Sequence, residues 1–340
     1  MRGPIQSVFA VLLALWCAPG QAAAPEKPGV TIAVGGKAAL YYLPLALAER
    51  LGYFRDEGLK VEILDFPGGA KALQAMMGGS ADVVSGGFDH VVVMQARGQK
   101  LVSFVLQGAT PAISLGVAKS KSASWHGPQS LKGMKIGVTA PGSSTHMFVD
   151  ALLARGGLQP DDVSIIGVGA GPSAVAAMQA GQIDALAHIE PVISMLERSG
   201  AIDVEYETVS EKGSTALFGS ALPAGCLYTR ESFVRDNPNT VQALASAMVR
   251  ALKWLAKAKP DDVAQVVPAE YLLGDKPLYL AALAKQRQSY SKDGRIPPQG
   301  VAALAKVLAG FEPAVKSAAG LRLDDAYTNR FVDAALAKLR

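Results

Sequence analysis

The sequence predicts an α/β fold of two similar lobes, joined by two crossovers and completed by a helix-rich C-terminal segment. Three observations lead there. Short β-branched runs alternate with stretches of helical periodicity. That cycle runs twice, and the second copy matches the first at a fixed offset. Two extended segments flank the second copy, as they must if the chain leaves one lobe, builds another and returns.

The first cycle opens with Val30-Thr31-Ile32-Ala33-Val34, a strand. Residues 42–51 read as a helix, with Leu43, Leu47 and Leu51 at a helical period and Gly52 as the stop. Val61-Glu62-Ile63-Leu64 is a second strand, 70–77 a second helix, and Asp82-Val83-Val84-Ser85 a third strand. A β-α-β-α-β order calls for a parallel sheet covered by helices. The second cycle repeats this with Lys135-Ile136-Gly137-Val138, a helix over 145–155, Val163-Ser164-Ile165-Ile166, a helix over 173–179, and Asp184-Ala185-Leu186-Ala187. Gly69, Met76, Gly79 and Asp82 correspond to Gly171, Met178, Gly181 and Asp184, each pair 102 positions apart. Falling inside matched cycles, that correspondence argues for two lobes of one design.

After about residue 230 the strand cycles stop. Asn237-Pro238 opens a helix over 240–258, and further helices are expected over 276–288, 299–308 and 325–339, punctuated by proline and glycine. This tail is expected to pack on one lobe. The extended segments 113–118 and 224–229 are the crossover candidates. The expected organisation is therefore lobe one from 25–112 with 226–340, lobe two from 119–222, and hinge crossovers at 113–118 and 223–229.

Residues 1–24 read as a cleaved signal peptide. Arg2 gives a positive start, and the apolar run from Ile5 to Trp16 is too short to cross roughly 30 Å of hydrocarbon. Ala18, Ala22, Ala23 and Ala24 supply small residues for cleavage, and Pro25 favours a cut after Ala22 or Ala23. Trp16 before Cys17 argues against lipidation of that cysteine. No later apolar run reaches membrane-spanning length, so the mature chain is expected in the periplasm. Only Cys226 then remains, which excludes an internal disulfide. The formal charge of +4 shows no dense basic block, so nucleic acid is not an expected partner.

Several stretches resemble one family. They are Tyr42-Leu43-Pro44-Leu45-Ala46-Leu47-Ala48-Glu49-Arg50-Leu51-Gly52-Tyr53-Phe54, Gly79-Ser80-Ala81-Asp82-Val83, Pro141-Gly142-Ser143-Ser144-Thr145-His146, Gly181-Gln182-Ile183-Asp184-Ala185 and Glu190-Pro191. Together they are similar to the periplasmic binding proteins of nitrate, sulfonate and taurine importers, a family that also takes thiamine-precursor pyrimidines and aromatic acids. The resemblance implies a type II periplasmic binding fold with a two-strand hinge, closing on a small-molecule ligand and docking, as a monomer, on an inner-membrane ABC permease. Ile189-Glu190-Pro191 stands where sulfonate-type members carry an aromatic-acidic-proline turn, which weakens the case for a plain alkylsulfonate.

The candidate binding residues lie at the carboxyl ends of strands, where open α/β sheets bind ligands. Ser143, Ser144 and Thr145 start a helix whose amides and dipole suit an anion, with His146 as a donor or a packing residue. In lobe one, Gly36 lets backbone approach a ligand, Lys37 offers a cation, and Leu40 and Tyr41 offer apolar and stacking surface. Gly69, Gly87, Phe88 and Asp89 complete that side, Phe88 as core or ligand wall and Asp89 as helix cap or ligand partner. Glu190, if it faces the cleft, favours an N–H or cationic group. With the anion-suited helix start, this points to a zwitterion or polar heterocycle.

Other motifs fail. Pro172 breaks a dinucleotide fingerprint at Gly167-Val168-Gly169-Ala170-Gly171, and Gly142-Ser143-Ser144 lacks the hydrolase elbow. The four histidines and single mature cysteine have no metal-ligand spacing, so neither metal nor cofactor is expected. Met76, Met77 and Met178 fit core positions. The expected function is capture of a small organic solute for import, without catalysis. The alternatives are a pyrimidine-precursor enzyme of the same fold, whose eukaryotic members use a histidine and a cysteine-rich motif, or a ligand-sensing component.

Overall fold

The structure, a computed structural model, describes residues 24–339. The expected signal peptide, with Cys17, lies outside them except for Ala24. Ten strands are present among the described residues: β1 (Gly29–Val34), β2 (Lys60–Asp65), β3 (Val83–Gly87), β4 (Leu101–Leu106), β5 (Ser114–Ala118), β6 (Lys135–Val138), β7 (Ser164–Gly167), β8 (Ala185–His188), β9 (Ile202–Glu207) and β10 (Gly225–Arg230). They form two five-stranded sheets, β2-β1-β3-β10-β4 and β7-β6-β8-β5-β9.

The two sheets share one plan. β1 runs parallel to β2 and β3, and β6 runs parallel to β7 and β8. Into each sheet one antiparallel strand is inserted, β10 in the first and β5 in the second. The segments expected as crossovers are thus themselves sheet strands, each the first strand made after the chain changes lobe. The connections that pass between the sheets are 107–113 and 208–224. β3, β4 and β8 are buried throughout, as strands covered by helices on both faces must be, whereas edge strands β2 and β7 are half-exposed.

The 102-residue correspondence has a physical content. Met76 and Met178 are both buried under their sheets. Gly79 and Gly181 both take left-handed backbone after their helices, with φ of +85° and +66°. Asp82 Oδ2 accepts from Thr31 N at 3.0 Å, and Asp184 Oδ2 accepts from Lys135 N at 2.9 Å. In each lobe a carboxylate before the third strand ties down the first.

The long helix Pro238–Lys257 packs on the first lobe against Leu43–Arg50 and Arg330–Lys338. The tail is not confined to that lobe. Helix Lys276–Gln286 also meets helix Val192–Arg198 of the second lobe, and two ion pairs, Arg198–Asp275 and Lys285–Glu197, span the junction. No helix among the described residues is long and apolar enough to cross a membrane.

Candidate functional site

The two sheets point their parallel strand ends at each other, and the loops that leave those ends meet. Gly68 follows β2, Gly87 ends β3, and Ser143 and Ser144 follow β6. Several side chains close the junction from both sides. Ser143 Oγ accepts from Ala70 N at 3.0 Å, and Ser144 Oγ donates to Asp89 Oδ1 at 2.9 Å. Leu40 N donates to the Glu190 carbonyl at 3.0 Å. The expected N-cap serine therefore spends its hydroxyl across the cleft and makes no side-chain cap of its own helix, Ser144–Arg155.

An inner cavity of about 50 Å³ lies between the lobes, well below the roughly 300–1,000 Å³ of a drug-sized ligand site. Its walls are apolar: Met147 and Phe148 from helix Ser144–Arg155, Phe218 and Leu222 from the second crossing, Leu304 and Phe311 from the tail. Three polar side chains face it, Tyr41, Asp89 and Ser144. A smaller cavity of about 20 Å³ shares Tyr41, Ile113 and Ser144 with it and continues past Gly35, Gly69, Thr139, Ser143 and Thr145. Neither lining contains a lysine or arginine. A third, wider cavity opens between Gly36, Asp65 and Phe66 on one lobe and Ala170, Pro191 and Met195 on the other.

Tyr41 is a neutral phenol here: burial, then the nearby Tyr42 and Asp89, push its ionisation well above the ordinary value. It can donate a hydrogen bond at any physiological pH. Thr145 Oγ1 accepts from Thr139 N at 3.1 Å, which locks the turn that presents Ser143 and Ser144.

Of the residues expected from sequence, Tyr41, Gly69, Gly87, Asp89, Ser143, Ser144 and Thr145 line the inner cavities, and Gly36 lines the wider one. Five others lie elsewhere. Phe88 is fully buried in the first lobe, edge-on to Tyr327 at 6.4 Å. Lys37 points away to Glu49 at 3.8 Å. Leu40 is core, and its backbone makes the cross-lobe contact. His146 turns back on its own helix end, Nδ1 accepting from Gly142 N and Nε2 3.7 Å from Asp150. Glu190 is buried with its carboxylate accepting from Ser194 N at 3.0 Å; burial raises its ionisation while those Ser194 hydrogen bonds oppose the shift. The sequence reading missed the apolar wall, because Phe218, Leu304 and Phe311 look like ordinary packing residues until the fold brings them to one place.

A family model described as the NMT1-like family matches residues 23–268. The chain belongs to that family. A solved structure from Bordetella bronchiseptica RB50 is 51% identical and superposes with a TM-score of 0.89, covering 93% of this chain and 99% of that one. The alkanesulfonate-binding protein of Xanthomonas axonopodis pv. citri, bound to MOPS, is 23% identical with a TM-score of 0.68, covering 89% and 99%. The taurine-binding periplasmic protein of Escherichia coli is 25% identical over 58% of each chain. Together these place the NMT1-like chain in the two-lobed type II periplasmic-binding fold, among small-molecule-binding proteins related to importer components.

The expectation of a protein without catalysis is corrected by other relatives. The 4-amino-5-hydroxymethyl-2-methylpyrimidine phosphate synthase of Candida albicans is 26% identical over 66% of this chain and 67% of its own length. Synthases of the same name from Saccharomyces cerevisiae and Aspergillus parasiticus match over a similar span. Enzymes and binding proteins therefore share this sequence neighbourhood, and a flat exclusion of catalysis does not hold.

Proposed function

We propose that the chain captures a small organic molecule in the inner cleft and, as a monomer in the periplasm, delivers it to an ABC permease of the inner membrane. The observation that carries this is the cleft itself: a cavity at the carboxyl ends of the parallel strands, lined by residues of both lobes. In this reading residues 25–112 with 226–340 move against 119–222 about the two crossings. Tyr41, Asp89 and Ser144 hold the polar end of the ligand, and the Met147–Phe148–Phe218–Phe311 surface holds its apolar body. Relatives named for taurine and alkanesulfonate support the reading.

The test is a thermal-shift screen of the mature protein against sulfonates, aromatic acids, pyrimidines and amines, followed by uptake in a deletion strain. A true ligand at a hundredfold excess over its Kd adds about 2.7 kcal/mol of stability. No shift with any class, and normal uptake of every hit in the deletion strain, would overturn the proposal.

A second reading has its own support. The pyrimidine phosphate synthases match over about two thirds of the chain, so the same cleft is to be tested for turnover: incubation of each hit with the protein, followed by mass spectrometry, separates the two. Product formed in proportion to protein would favour the enzyme, and hits recovered unchanged would favour capture.

A further inference from the structure

The chemistry of the cleft selects the ligand class. Among the described residues, Asp89 is the only charged side chain lining either inner cavity. Its Oδ1 is occupied, accepting from Ser144 Oγ at 2.9 Å and from His90 N at 2.8 Å. Its Oδ2 has no hydrogen-bond partner and no ion-pair partner among the described residues. The same cavity is lined by Ile113, Met147, Phe148, Phe218 and Leu222, which offer no donor, and by Tyr41, whose phenol does. Asp89 is half-buried, and its Oδ2 still reaches water with the lobes in contact; a ligand that fills the cavity displaces that water and must replace it with a donor. Binding is therefore favoured for a ligand that brings a donor to Oδ2. A small anion does the opposite, since it meets a like charge in a low-dielectric space.

Resting on the capture reading above, we infer that the cleft takes a compound with an apolar body and an amine or amidine N–H group, held by Asp89, and that it discriminates against sulfonates and carboxylates of the same shape. The aromatic and aliphatic wall suits a single ring or a branched chain beside that group. Tyr41 and Ser144 complete the polar end, the phenol able to donate to any acceptor the ligand carries next to its N–H.

Matched probes decide it. Calorimetric titration of the mature protein with benzamidine and phenethylamine is compared with benzoate and benzenesulfonate. The expected result is binding of the cations at least about tenfold tighter than the anions, the scale of one charge-assisted hydrogen bond. In D89N, whose amide keeps an acceptor for Ser144, the cations should weaken by about tenfold and the preference should vanish. Equal or tighter binding of the anions, or a cation preference that survives D89N, overturns the inference. The wild-type ranking decides alone if D89N does not fold. Anion binding leaves the capture reading standing; binding by no probe, in a protein that answers to no compound of the wider screen, removes both.

Discussion

Closure of the cleft can be blocked at one carbon atom. Gly68 has φ −174°, an extended conformation open to any residue, so alanine brings no backbone strain there. A Cβ at Gly68 would lie 2.9 Å from Ala140 Cβ, 3.0 Å from Ser143 Oγ and 3.1 Å from Ala140 N, all on the opposite lobe. Ordinary carbon contacts sit at about 3.5–4.0 Å, so the lobes must part there by about 0.6–1 Å. The Ala70 N–Ser143 Oγ hydrogen bond, 3.0 Å long, is then stretched past useful length. Overpacking costs about 1–3 kcal/mol and a lost hydrogen bond about 1 kcal/mol, but both fall on the closed state alone. Gly68→Ala should therefore weaken ligand affinity by about tenfold or more. The ligand-free melting midpoint should stay within a few degrees, because an opened cleft relieves the clash. Titration calorimetry reads the first effect, and solution scattering should show a ligand-bound variant less compact than the wild type. Unchanged affinity together with unchanged compaction would refute the assignment of this contact to closure. Gly36 also abuts the other lobe, at Ala170, but its φ of +103° would mix strain with the wedge.

Three further outcomes are expected. Burial lifts the Glu190 carboxyl above its ordinary value of about 4.3, so the native state binds that proton more readily and stability falls as pH rises through the window above 4.3. Glu190→Gln, which keeps an acceptor for Ser194 N, should raise the melting midpoint at pH 7, with the gain shrinking toward pH 4; a gain independent of pH would be the contrary result. Cys226 is fully buried and its thiol is pushed up by burial, so an aromatic disulfide reagent should label it only after unfolding, and rapid labelling of the native protein would contradict its placement. Ser210 caps helix Glu211–Phe218 by accepting from Gly213 N at 2.9 Å, so Ser210→Ala should cost about 1 kcal/mol in urea unfolding and loosen the Phe218 wall.

The parallel parts of both sheets were readable because most of their strands carry β-branched residues and β8, Ala185–His188, which carries none, falls at the matching place in the repeated cycle. Two strands escaped for opposite reasons. Leu101–Leu106 is apolar at all but one position and buried at all six, so it has no alternation to set it apart from a helix. Ile202–Glu207 is half-exposed and carries three acidic residues, so it reads as a loop. The antiparallel insertion of β5 and β10 could not be read at all, since pairing partners such as Tyr228 and Val84 lie well over a hundred residues apart. In the cleft, residues on the glycine- and serine-rich loops were legible, because turns and helix starts leave local signatures. Orientation was not: Glu190, His146 and Lys37 each had a nearer partner than any ligand, and only the fold shows which.

The exchange of strands between the halves also orders events in time. In the first sheet β4 is attached only through β10, which is made more than a hundred residues later. While residues 225–230 are still unsynthesised, β4 has no neighbour and β3 presents an open edge. Residues 114–207, by contrast, hold every strand of the second sheet in one uninterrupted stretch. The second lobe can thus assemble autonomously, whereas the first waits for it, and a newborn chain stays partly unfolded until two thirds of it has emerged.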